Sequence, residues 1–179
     1  MLTRRTMLFG LAGATLAPAL PSIAGAQARG SLQDGSIVSL RCLGHIRTAN
    51  QFLDGRTTSA TVGLSPERGG GYSGALWRVH FVEQDVVAFN CQGHIEGPRW
   101  LDGRTTNGTV GLAPRTTGGY SGTFWRLHEA GEPGVIGLEC LGHLPGKRWL
   151  DGRTVDGTVG LAPGTGGGFT GTRWFVEYA

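Results

Sequence analysis

Trp100-Leu101-Asp102-Gly103-Arg104-Thr105, then Gly108-Thr109-Val110-Gly111-Leu112-Ala113-Pro114, then Ser121-Gly122-Thr123-Phe124-Trp125-Arg126-Leu127: this run decides the architecture, because the chain writes it three times. A later copy reads Trp149-Leu150-Asp151-Gly152-Arg153-Thr154, Gly157 to Pro163 and Thr170 to Val176. An earlier, looser copy reads Phe52-Leu53-Asp54-Gly55-Arg56-Thr57, Thr61 to Leu64 and Gly74 to Val79. Each copy opens on Cys-x-Gly-His, at Cys42/His45, Cys91/His94 and Cys140/His143. A fixed period of this length marks a repeat architecture, in which each unit buries its apolar face only against the others. The repeats, about 36–85, 86–134 and 135–179, fill residues 29–179 and imply a single domain.

Within a copy the apolar residues alternate. Val38, Leu40 and Cys42 share one side, as do Val87, Phe89 and Cys91, and Ile136, Leu138 and Cys140. Trp77 and Val79 face inward while Arg78 and His80 face outward. A period of two with one apolar face predicts half-buried strands. Four such runs occur per copy, and Thr106-Asn107-Gly108 and Val155-Asp156-Gly157 supply tight hairpin turns between the second and third. No sustained 3.6-residue period follows residue 28, so the class is all-β.

Three units are too few for a propeller of four or more blades. Closure would remove exposed sheet edges, which favours one barrel with threefold symmetry. The Trp-Leu-Asp-Gly, Gly-Thr-Val-Gly-Leu-Ala-Pro and Ser-Gly-Thr-x-Trp-Arg series resembles the β-trefoil repeats of the ricin B-type and fascin-like superfamily. That resemblance implies a β-trefoil: a six-stranded barrel from the first and fourth strands of each copy, capped by three second–third hairpins. It departs at one point. Ricin-type repeats carry Gln-x-Trp in the fourth strand, whereas this chain has Ala75-x-Trp77, Thr123-x-Trp125 and Thr172-x-Trp174. The family's sugar-binding residues therefore do not carry over.

Residues 1–28 read as an export signal, with Arg4-Arg5 before a weakly apolar stretch and small residues at Ala26-Gln27-Ala28. The paired arginines match a twin-arginine route. A periplasmic or extracellular monomer is expected, without membrane insertion after cleavage. The whole chain holds 16 basic and 13 acidic residues, and removing Arg4 and Arg5 leaves a near-neutral protein. Nucleic-acid partners need a basic face, so they are not expected.

The leading ligand candidates lie on the second strand of each copy: Trp100, Asp102 and Arg104; Trp149, Asp151 and Arg153; Phe52, Asp54 and Arg56. Alternation puts each triplet on one face, where an aromatic plate beside a carboxylate and a guanidinium suits a sugar ring. The competing reading is structural, with Asp and Arg paired to each other and the ring covering the hairpin. Secondary candidates are Tyr72, Tyr120 and Phe169 in the glycine-rich loops, as ligand contacts or loop anchors. Cys42, Cys91 and Cys140 could meet on a threefold axis as thiolate ligands, but small buried cysteines are more often core filling. His80 and His128 read as solvated edge residues. No catalytic series or cofactor motif stands out, so a non-enzymatic module without cofactor is expected. Its partner is expected to be a carbohydrate, giving a lectin-like protein, or alternatively an envelope protein bound or inhibited through loop tips.

Overall fold

The computed structural model describes residues 32–45 and 48–179. The export signal expected at 1–28 lies outside them. Twelve strands follow in order: β1 (Ile37–Cys42), β2 (Phe52–Arg56), β3 (Thr61–Ser65), β4 (Trp77–Phe81), β5 (Val86–Cys91), β6 (Trp100–Arg104), β7 (Thr109–Ala113), β8 (Trp125–Glu129), β9 (Val135–Cys140), β10 (Trp149–Arg153), β11 (Thr158–Ala162) and β12 (Trp174–Tyr178). A single 3-10 turn precedes the last strand of each repeat, at Ser73–Ala75, Ser121–Thr123 and Thr170–Thr172. The all-β expectation and the four-strand repeat are therefore observed.

Each repeat hands its last strand to the next repeat's first. β4 pairs β5, β8 pairs β9, and β12 returns to pair β1, each over five residues and antiparallel. Shorter pairings join β1 to β4, β5 to β8 and β9 to β12. The hairpins β2–β3, β6–β7 and β10–β11 carry five paired residues apiece. Their outer strands also pair with one another, β3 with β7, β7 with β11 and β11 with β3.

The expected partition into a six-stranded trefoil barrel and three separate hairpin caps is corrected by this pairing. All twelve strands form one sheet. A closed antiparallel circuit of ten strands runs β1–β2–β3–β11–β7–β6–β5–β8–β9–β12 and back to β1. The hairpins are thus hydrogen-bonded members of the wall. The physical reason is that Trp149 pairs Glu139, Trp100 pairs Asn90 and Phe52 pairs Arg41, which ties each hairpin to the strand before it. Backbone groups that a detached cap would leave unpaired are satisfied this way.

The interior repeats with the sequence. Trp77, Trp125 and Trp174 are fully buried, and their indole N–H groups donate to the carbonyls of Leu53, Leu101 and Leu150 at 2.9, 3.0 and 3.0 Å. Each indole lies against a buried cysteine and the glycine of Asp-Gly-Arg. A Cβ on Gly55, Gly103 or Gly152 would come within 2.7–2.8 Å of the Cys91, Cys140 or Cys42 sulfur. That packing explains why glycine interrupts strands that otherwise carry β-formers. The thiols donate to glycine carbonyls, Cys140 Sγ to Gly103 O at 3.4 Å and Gly122 O at 3.5 Å. Burial pushes the Cys42 and Cys140 thiols up to about 11, and raises Cys91 as well. All three are free, and among the described residues no group of three His, Cys, Asp or Glu is placed to hold a metal ion. At the seam between first and last strand, Arg41 Nε meets Glu177 at 2.7 Å and Arg68 reaches the same carboxylate at 3.4 Å.

Candidate functional site

The Asp-Gly-Arg-Thr segments do more than cover hairpins. In each repeat the 3-10 turn docks its glycine against the hairpin: a Cβ on Gly74, Gly122 or Gly171 would lie 2.0–2.1 Å from the carbonyl oxygen of Gly55, Gly103 or Gly152. This close approach is available only to glycine. It brings the residue before that glycine over the aspartate and toward the histidine of a Cys-x-Gly-His motif. Ser73 Oγ is hydrogen-bonded to His94 Nδ1 at 2.7 Å, and Ser121 Oγ to His143 Nδ1 at 2.7 Å. The same hydroxyls accept the backbone N–H of His94 at 3.2 Å and of His143 at 3.1 Å. In the third site the His45 N–H donates to Thr170 Oγ1 at 2.9 Å.

Three equivalent clefts result. The first holds Asp54, Arg56, Ser73 and His94 around about 150 Å³. The second holds Asp102, Arg104, Tyr120, Ser121 and His143 around about 210 Å³. The third holds Asp151, Arg153, Thr170 and His45 around about 410 Å³. The floor is an aspartate no more than 9% exposed, and the wall is an arginine that stands in solvent. Arg56 Nε lies 3.7 Å from Asp54, and Arg104 Nε lies 3.9 Å from Asp102. Burial raises the Asp54, Asp102 and Asp151 carboxyls above their ordinary value, and the neighbouring arginines only partly offset it. The rim is rigidly tied. Thr57 and Thr105 hydroxyls donate to the carbonyls of Ile95 and Leu144, both at 2.8 Å. Arg99 and Arg148 each bind three carbonyls of the loop that carries the histidine. In the first repeat Gln51 stands in that position, donating to the Thr48 carbonyl at 2.9 Å; Arg47, part of that copy's extra sequence, lies outside the described residues.

The expected triplets are therefore split. Aspartate and arginine share a cleft, while the aromatic partner leaves it. Trp100 packs against His80 with the rings tilted by 57° and their centroids 5.1 Å apart, and Trp149 against His128 with a 54° tilt at 4.7 Å. Phe52 opens β2, paired to Arg41. His80 and His128 are thus half-buried ring partners, not free edge residues. Of the loop aromatics, Tyr120 lines its cleft, while Tyr72 and Phe169 stand 37% exposed at the N-terminal ends of their turns. Sequence reasoning missed the Ser/Thr–His contacts. Their signal was present in the repetition of Ser73, Ser121 and Thr170 and of the three motif histidines, but only the fold shows that the two sets meet.

No family model matches the chain, and no curated protein matches it. Among solved structures it resembles a salivary protein from Culex quiquefasciatus belonging to the Cysteine and Tryptophan-Rich (CWRC) family. The TM-score is 0.58 at 16% identity, covering 81% of this chain and 94% of that one. At this identity the likeness speaks to the fold alone. It corrects the expected kinship with ricin B-type and fascin-like proteins: the neighbour found is of the CWRC family. Nor does it bring any lectin or export-signal relation, so of the descriptors drawn from sequence the internal repeat is the one retained. Among the described residues no helix is long and apolar enough to cross a membrane.

Proposed function

We propose that the protein is a non-catalytic binding module whose three clefts hold the hydroxyl groups of a glycan. The supporting observation is the threefold recurrence of one polar set in a concavity: a buried carboxylate, a solvent-facing guanidinium and a hydroxyl locked to an imidazole. A carboxylate and a guanidinium side by side form charge-assisted hydrogen bonds to vicinal hydroxyls. Tyr120 and the exposed Leu144 supply apolar surface for the C–H face of a ring. Three equivalent sites on one rigid wall suit a repeating polymer, where weak single contacts combine into avidity. Binding is favoured over hydrolysis because the Ser73–His94 and Ser121–His143 pairs, although within hydrogen-bond distance, have no third group among the described residues to orient the imidazole. Among the described residues, no carboxylate forms an ion pair with His94 or His143. We also propose export, to the periplasm or beyond, on the pattern of residues 1–28.

The test is a glycan array followed by calorimetry with the native protein and the triple variant Asp54→Asn, Asp102→Asn, Asp151→Asn. Hydrogen bonds to charged groups are worth about 1.5–3 kcal/mol, so the variant should bind roughly tenfold or more weakly. Absence of binding to every glycan, or equal binding by the variant, refutes the proposal. A second reading has its own support: Ile95, Leu144 and Val155 stand 48%, 46% and 67% exposed at the rims of the clefts. Such apolar tips suit a protein partner, and capture of one partner undiminished by added sugars would favour that reading.

A further inference from the structure

A further cavity lies apart from the three clefts. It encloses about 340 Å³ beside β8, β9 and β10, and its walls include Trp149, His128, Glu129 and Arg173. Three positions around it differ from their equivalents in the other copies. Glu129 ends β8 where β4 has Phe81 and β12 has Tyr178. Gly137 stands where β5 has Ala88 and β1 has Ser39, and a Cβ there would press to 3.3 Å of the Trp149 ring. Glu139 stands where the other copies carry Asn90 and Arg41, and its carboxylate bonds His128 Nε2 at 2.9 Å.

The charges around this cavity do not cancel. Arg173 is already paired with Glu132 at 2.8 Å, and the neighbouring Arg126 with Asp85 at 3.3 Å. Glu129 forms no ion pair among the described residues, and Glu139 has only the imidazole. A half-buried indole beside net negative charge attracts an organic cation through the ring quadrupole and the carboxylates together. We propose that this cavity is a separate site for a small organic ammonium group, primary or methylated, seated on Trp149 with Glu129 as counter-ion and Glu139 holding His128 in place. It does not rest on the glycan reading, since none of its residues lines the three clefts.

The probe is tetramethylammonium, read by calorimetry and by the indole N–H resonances of the full chain. Saturable binding should perturb the Trp149 resonance. Glu129→Gln should weaken it at least about tenfold, and Trp149→Leu should abolish it, while Trp100→Leu leaves it intact. Choline should bind comparably, and its neutral isostere 3,3-dimethylbutanol far more weakly than choline. Equal affinity for the isostere, an unaltered constant in a Glu129→Gln variant of native melting temperature, or no saturable perturbation overturns the proposal.

Discussion

Replacing Gly122 by alanine is the sharpest test of how the clefts are built. The added Cβ would lie 2.1 Å from the Gly103 carbonyl oxygen and 2.7 Å from Asp102 Oδ1. Ordinary contact needs more than 3 Å, so the 3-10 turn must retreat by about 1 Å. The obstructing atom is backbone in a paired strand and cannot rotate away. Overpacking against a rigid neighbour costs about 3 kcal/mol, the upper end of its usual range. In a domain of about 150 residues that is a fall in melting temperature of about 6–12 °C. The retreat also pulls Ser121 from His143, so the cleft should lose ligand affinity in the fraction that stays folded. Scanning calorimetry and urea titration measure the first effect, and a shift of the His143 ring resonances the second. Gly69→Ala is the control: nothing lies within 4 Å of its Cβ, and its effect should stay within about 0.5 kcal/mol. If Gly122→Ala melts with the parent, the tight docking of turn on hairpin is wrong, and the proposed site geometry falls with it.

Other outcomes follow from the same geometry. Because burial raises the Asp54, Asp102 and Asp151 carboxyls, the stability their protonated forms contribute is full below the ordinary value of 3.8 and lost as pH rises through the raised native value. Asp102→Asn should therefore melt at or above the parent at pH 7 and flatten that acidic slope, while still weakening ligand; a large loss of stability at pH 7 would contradict this. Trp174→Phe strands the Leu150 carbonyl and leaves a void, for a loss of about 3 kcal/mol by denaturant titration. With thiols held up near 11, only about a thousandth of Cys42 or Cys140 is thiolate at pH 8, and labelling by a thiol reagent should proceed no faster than unfolding. Zinc released in proportion to protein on denaturation would refute the core-filling role of the cysteines.

Much of the architecture is legible without coordinates. Alternation of Val38, Leu40 and Cys42, the turn at Asn107-Gly108 and three buried fourth-strand tryptophans fix strands, hairpins and threefold repetition, because side-chain direction in a strand follows local backbone geometry. That Asp102 lies beside Arg104 is likewise local, two residues apart on one strand. Sequence cannot say that Trp149 turns away to His128, since that contact depends on which neighbouring strand supplies the facing side chain. Nor can it say that Ser121 meets His143 across 22 residues, or that hairpins join the closed circuit of strands. The first depends on the approach of two backbones at Gly122 and Gly103, the second on the pairing of Trp100 with Asn90 and its equivalents, and both are set by how the whole sheet closes. The residues determined what each repeat is made of; closure determined which of them face one another.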